Sequence, residues 1–174
     1  ESDNVKKLCS ALIPILISVV FLFSSCGKII PAKEFQPLLS FSVHMTAEKN
    51  EKKFEADIIC NNYDSIEIAF TYPDELKGFS VTGTDEGYSV NVFGIPDEIS
   101  EYEINTDSLL NILIKTIKLS VFTNHGSFCN NGETITAELT ADEIPVSVTF
   151  SPDGYLSEIK AESIGFYATF QKIG

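Results

Sequence analysis

Apolar and polar residues alternate with a period of two along most of this chain, the period of a strand with one buried and one wet face. Phe41, Val43 and Met45 alternate with Ser42 and His44. Phe54, Ala56, Ile58 and Cys60 alternate with Glu55 and Asp57, and Ile66, Ile68, Phe70 and Tyr72 with Glu67 and Thr71. Lys49 to Lys53 and Asn61 to Asp64 supply the turns between these runs. Tyr72 to Gly78 interrupts the alternation: Pro73 cannot donate to a ladder and Gly78 permits positive φ, so a short turn is predicted. Phe79 to Thr82 and Tyr88 to Phe93 read as a hairpin around Gly83 to Gly87. Gly94 to Asn105, with Pro96, Asp97, Glu98, Glu101 and Glu103, reads as an acidic loop.

The period changes once. From Thr106 to Phe122 the apolar residues Leu110, Leu113, Ile114, Ile117 and Val121 fall on one face at helical spacing. Leu109, Ile112 and Leu119 widen that face and leave a narrow polar stripe of Asn111, Lys115 and Lys118. Thr106 or Asp107 serves as the cap. The β-branched residues Ile112, Ile114, Thr116 and Ile117 support a strand as the competing assignment, and length and capping favour the helix. After it the period of two returns. Asn131-Gly132 is a hairpin signal, Ile135, Ala137 and Leu139 form one run, and Val146, Val148 and Phe150 the next. Ser151 to Gly154 is a turn, Tyr155 to Ala161 a strand, and Ile164, Phe166, Ala168 and Phe170 the last strand.

The N-terminal segment follows a different rule. Lys6 and Lys7 precede an uncharged run from Leu8 to Phe23, and the small residues Ser24 and Ser25 precede Cys26. A basic start, an apolar stretch and small residues at its exit read as a secretory signal. Phe23-Ser24-Ser25-Cys26 resembles the lipobox of bacterial lipoproteins. That resemblance implies cleavage between Ser25 and Cys26 and a diacylglycerol on the Cys26 sulfur, with fatty-acyl chains such as palmitate as the anchor. Each buried acyl carbon contributes roughly 0.8 kcal/mol, so two chains anchor firmly where one would not. A transmembrane anchor is the competing reading, since Leu8 to Gly27 nearly spans a bilayer, but Pro14 and the serines oppose it. Residues 1–4 carry two acids ahead of the lysines and read as an over-extended start. The expected organisation is a signal peptide helix over 1–25, a lipidated cysteine and tether over 26–37, and one β-rich domain over 38–174.

Charge narrows the function. Beyond residue 25 the chain has ten lysines against twenty-three acids and no arginine. Nucleic-acid binding requires a basic footprint and is excluded as a partner class. Without arginine, the usual bidentate clamp for phosphate or carboxylate is also missing. Of four cysteines, Cys9 leaves with the signal and Cys26 carries lipid; Cys60 and Cys129 either pair outside the cytoplasm or remain thiols.

No catalytic arrangement stands out, and the chain reads as a non-enzyme. His44 lies on the polar face of a strand and reads as solvated. His125 stands near Ser127, but no G-x-S-x-G elbow surrounds that serine. Asp97, Glu98, Glu101 and Glu103 lack the spacing of a calcium loop, and histidine and cysteine do not fall at zinc spacings. No metal and no cofactor other than the covalent diacylglycerol is expected.

Two stretches carry a further resemblance. Ile66-x-Ile68-x-Phe70-x-Tyr72-Pro73-x-x-Leu76-x-Gly78 with the hairpin after it, and the paired strands from Glu143 to Phe170, resemble the LolA-like lipoprotein-carrier superfamily. The resemblance implies an α+β fold, mainly antiparallel β: a curved sheet or half-barrel with one helix, about 106–122, on its concave face. Leu110, Leu113, Ile114, Ile117 and Val121 would then line or fill the hollow. It also implies that the half-barrel binds an apolar molecule or an acylated partner at the outer face of the cell membrane. The same pattern permits a β-sandwich or closed barrel with the helix outside. It also permits a surface interaction or sensor module whose hollow is plugged.

Overall fold

The computed structural model describes residues 28–30, 35–62, 64–99, 109–122 and 128–173. They form twelve strands and one α-helix. The strands are β1 (Lys28–Ile30), β2 (Phe41–Lys49), β3 (Lys52–Asn61), β4 (Ser65–Tyr72), β5 (Phe79–Thr84), β6 (Tyr88–Val92), β7 (Ile95–Ile99), β8 (Phe128–Asn130), β9 (Ile135–Ala141), β10 (Ile144–Phe150), β11 (Leu156–Ala161) and β12 (Phe166–Lys172). The helix, α1, spans Leu109–Phe122 between β7 and β8.

All twelve strands join one antiparallel sheet in the order β1-β8-β9-β10-β11-β12-β2-β3-β4-β5-β6-β7. The fold is therefore α+β and mainly antiparallel, as the alternation implied. There is one sheet, and β1 and β7 do not pair with each other, so the sandwich and closed-barrel alternatives fail among the described residues. Neighbouring strands are consecutive in the chain except at β1–β8 and where β12 pairs with β2 and joins the two halves. Burial alternates as the sequence does: along β2, Phe41, Val43, Met45 and Ala47 are buried while Ser42, Thr46 and Glu48 are exposed. One inner face thus collects Met45, Ile58, Ile68, Val81, Val148, Ile159 and Phe166, and α1 adds Ile112, Leu113, Ile114 and Ile117 to the same core.

The helix touches both halves of the sheet. Lys115 Nζ donates to both Asp142 carboxylate oxygens, at 2.9 and 2.8 Å, in the turn between β9 and β10. Lys118 Nζ donates to the Thr84 carbonyl at 2.8 Å and to Asp85 at 3.0 Å, in the turn between β5 and β6. Six strand spacings separate β10 from β5, about 29 Å across a flat sheet at ~4.8 Å per strand. Two lysines one helical turn apart cannot bridge that distance on a flat sheet. At Gly83 of β5 the approach is close enough that a Cβ would stand 2.9 Å from Ile114 Cγ2, so glycine is what lets β5 meet the helix.

Three expectations need correction. The segment expected to be an acidic loop contains β7: Phe93 and Gly94, with φ of 52° and 87°, turn the chain, and Ile95–Ile99 pairs with β6. Pro96 is tolerated there because β7 is the last strand of the sheet. The expected tether supplies β1, paired with β8, and order begins before residue 38: Phe35 is buried, with its ring 4.9 Å from Phe128 and 5.6 Å from Phe150. Ile164 belongs to a 3-10 turn over Glu162–Ile164, and the last strand starts at Phe166. Helix is confirmed over strand for α1, while residues 106–108 and their caps lie outside the described residues.

Candidate functional site

The helix expected to line a hollow is enclosed on nearly every side. Leu113, Ile114 and Ile117 are buried, as is Ile112, and Leu110 is half-buried. Val121 falls in the last turn, with its side chain outside the described ones. The polar stripe is not a solvated face. Asn111 is 2 % exposed, accepts a bond from Tyr88 Oη at 3.3 Å and donates to Asp142 Oδ2 at 2.7 Å. Asn111 therefore ties β6 to the turn between β9 and β10 from one side chain. The Lys115 hydrogen bond holds the Asp142 carboxyl below its usual range, against partial burial, with Asn111 assisting. On the opposite flank of α1, Thr116 and Ser120 are buried; the Ser120 hydroxyl donates to the Ile117 carbonyl at 2.8 Å, and the Thr116 hydroxyl has no partner among the described residues.

The cover supplied by α1 runs out toward β7. Four strands in succession place an apolar side chain in one row on the inner face: Phe70, Phe79, Val92 and Ile95. Phe79 pairs with Val92 and Val92 with Ile95, and the Phe70 and Phe79 rings stand 5.9 Å apart. Exposure climbs along the row, from 6 % at Phe70 through a half-buried Phe79 to 41 % at Val92 and 72 % at Ile95. Phe93, at the tip of the hairpin after Val92, is 79 % exposed, with its ring over Gly78. A bulky side chain at positive φ is uncommon, and here it sits beside an uncovered apolar strip. Its neighbours on the inner face at lower rows, Val81 and Val90, are buried. The strip is about 14 Å long, three strand spacings, and one side chain wide.

No family model matches this chain, and no curated protein matches it. The site is therefore read from its residues alone.

Of the two cysteines, Cys129 departs from expectation. Cys129 is disulfide-bonded and Cys60 is a buried thiol whose Sγ lies 3.8 Å from the Leu39 carbonyl. The Cys60–Cys129 pairing considered from sequence does not form. Cys60, on β3, keeps its thiol while Cys129, on β8, is bonded to another cysteine. The partner of Cys129 lies outside the described residues.

Of the other singled-out residues, His44 Nδ1 is 2.8 Å from Asp57 Oδ1, its cross-strand neighbour, with Glu55 at 4.0 Å from Nε2. Asp97 and Glu98 lie on β7. Ser25, Cys26, Glu101, Glu103, His125 and Ser127 fall outside the described residues. Among the described residues no group of three or more histidine, cysteine, aspartate or glutamate side chains gathers at metal-binding distance. Among them, too, no helix is long and apolar enough to cross a membrane; the run from Leu8 to Phe23 is not included.

Sequence reasoning chose the helix face and missed the strip. Phe79 and Val92 were legible as inward members of a hairpin. Ile95 was not, because Pro96 and the acids around it marked the segment as loop.

Proposed function

We propose that this chain is a bacterial lipoprotein held by diacylglycerol on Cys26 at the outer face of the cell membrane. Its sheet is a half-barrel with α1 on the concave side. The exposed inner row of β5 to β7 binds an apolar molecule or an acylated partner. The observation that carries the reading is the rise in exposure from Phe70 to Ile95 along a row continuous with the core. An apolar side chain left in water forgoes the ~1.5–3 kcal/mol that full burial of a Leu, Ile, Val or Phe contributes, so a row of them favours an apolar occupant. The proposed protein is a binder, and no reaction or cofactor is assigned to it.

Expression without the first 26 residues, purification free of detergent and mass spectrometry of the organic extract tests the reading. A stoichiometric apolar compound is expected from the unaltered domain and its loss from Ile95→Asp, whose edge position should cost under about 1 kcal/mol in stability. An empty extract from the unaltered domain overturns binding. It leaves the second reading, an interaction or sensor module with a plugged core, which the burial of Asn111 and its bonds to Tyr88 and Asp142 favour.

The anchor has its own test. A thioether and a disulfide cannot share one sulfur, and maturation removes Cys9 and alkylates Cys26. The mature lipoprotein should therefore titrate with both Cys60 and Cys129 as thiols after denaturation, and Cys26→Ala should lose processing and membrane retention. A single titrating thiol, or unchanged fractionation of the variant, contradicts the anchor.

A further inference from the structure

The outer face of the sheet carries a second, polar site. Glu138 on β9, Ser147 on β10 and Lys160 on β11 are successive cross-strand partners, and all point away from the core. The 3-10 turn after β11 brings Glu162 and Ser163 beside them, and Pro145 forms the remaining wall. These six residues line an open cleft of about 360 Å³, within the range of small-molecule sites.

Lys160 is held in place. Its Nζ donates to Glu158 Oε1 at 2.7 Å and lies 5.3 Å from the centre of the Tyr167 ring, and Tyr167 Oη donates to Glu158 Oε2 at 2.8 Å. That network draws Glu158 to Lys160 and Tyr167, away from the cleft's contents. The other polar groups are uncommitted: among the described residues, the side chains of Glu138, Ser147, Glu162 and Ser163 make no hydrogen bond or ion pair. Hydrogen-bonding groups that converge without serving one another are arranged for a third molecule.

The donor and acceptor pattern selects its chemistry. Two carboxylates repel an anion, and the Lys160 ammonium, which gives one N–H to Glu158, keeps further N–H donors that a simple cation cannot accept from. A neutral molecule with adjacent hydroxyls satisfies both, because each hydroxyl donates to a carboxylate and accepts from the ammonium or a serine. We propose that this cleft binds a neutral polyhydroxyl ligand, one saccharide unit in size, on the face of the sheet opposite the apolar row. The inference is independent of the apolar reading and of the lipid anchor.

The test is an NMR titration of the full chain in a detergent without a sugar headgroup, using glucose, N-acetylglucosamine and mannitol, with putrescine and phosphate as charged comparisons. Saturable shifts of the Ser147, Lys160 and Ser163 amides are expected with at least one neutral polyol and with neither charged probe. Ser147→Leu fills the cleft from an outward-facing position and should weaken binding by at least about tenfold, and Glu138→Gln by a smaller factor, with the thermal midpoint unchanged. No saturable shift with any polyol overturns the proposal. So does tighter binding of putrescine or phosphate, or unaltered affinity in a folded Ser147→Leu variant.

Discussion

Replacing Ile117 by aspartate is expected to unfold the domain or leave it with a thermal midpoint lower by tens of degrees. Ile117 is 1 % exposed and sits at the centre of the buried face of α1, among Leu113, Ile114 and the inner side chains of the sheet. The substitution removes the three apolar carbons beyond Cβ, which alone costs about 2–5 kcal/mol by analogy with truncation to alanine. It also places a carboxyl where no partner is available, and ionising it there adds several kcal/mol more. Together these rival the ~5–15 kcal/mol that a domain of this size has in total. Circular dichroism with thermal melting checks the outcome. A loss below about 1 kcal/mol would place α1 on the surface, contrary to its position here.

The second large effect is expected at Asn111→Asp. The change is nearly isosteric, so packing is preserved and electrostatics decide the result. Asn111 donates to Asp142 at 2.7 Å and is buried; an aspartate there replaces a donor by a charge facing a like charge. Lys115 then serves two carboxylates. A cost of about 2–4 kcal/mol at neutral pH follows from the lost hydrogen bond, desolvation and repulsion.

The pH dependence has a definite sign. Burial and repulsion raise the folded-state pKa of the introduced carboxyl above its unfolded value near ~3.9. Its deficit is therefore full at neutral pH, shrinks as pH falls through the raised value and vanishes below the unfolded one. In the unaltered protein Asp142 behaves oppositely. The Lys115 hydrogen bond lowers its folded pKa, so its stabilisation is present above the unfolded value and is lost as pH falls through the folded one. Urea unfolding of both proteins between neutral pH and about pH 4 should show the gap narrowing with acidity. A gap independent of pH would mean that Asn111 acts through shape and not through Asp142.

Most strands were legible because alternation is a local property. Phe41 to Met45, Phe54 to Cys60 and Val146 to Phe150 each declared their inner face, and the structure keeps those faces. What escaped depended on partners far along the chain. β7 was obscured by Pro96, whose tolerance follows from its place at the edge of the sheet, a fact of topology and not of composition. Phe35 lies among residues that resemble a tether and is fixed by Phe128 and Phe150, more than ninety positions away. Asn111 reads as surface from its helical position. It is buried because the curl of the sheet brings Tyr88 and Asp142 to the same side chain. Part of the exposed row fell in the same gap: Phe79 and Val92 share the β5–β6 hairpin, and only the β6–β7 register places Ile95 beside them.

The claim that the inner row of β5 to β7 is the apolar site is tested most directly by isotope-filtered NOE spectroscopy of residues 27–174 with dodecanol. Intermolecular NOEs from the alkyl chain to the Phe79 ring and the Val92 and Ile95 methyl groups are predicted, with none to the outer-face residues Ile59 and Ala69. NOEs confined to other residues, or no NOEs at saturating dodecanol, would contradict the account.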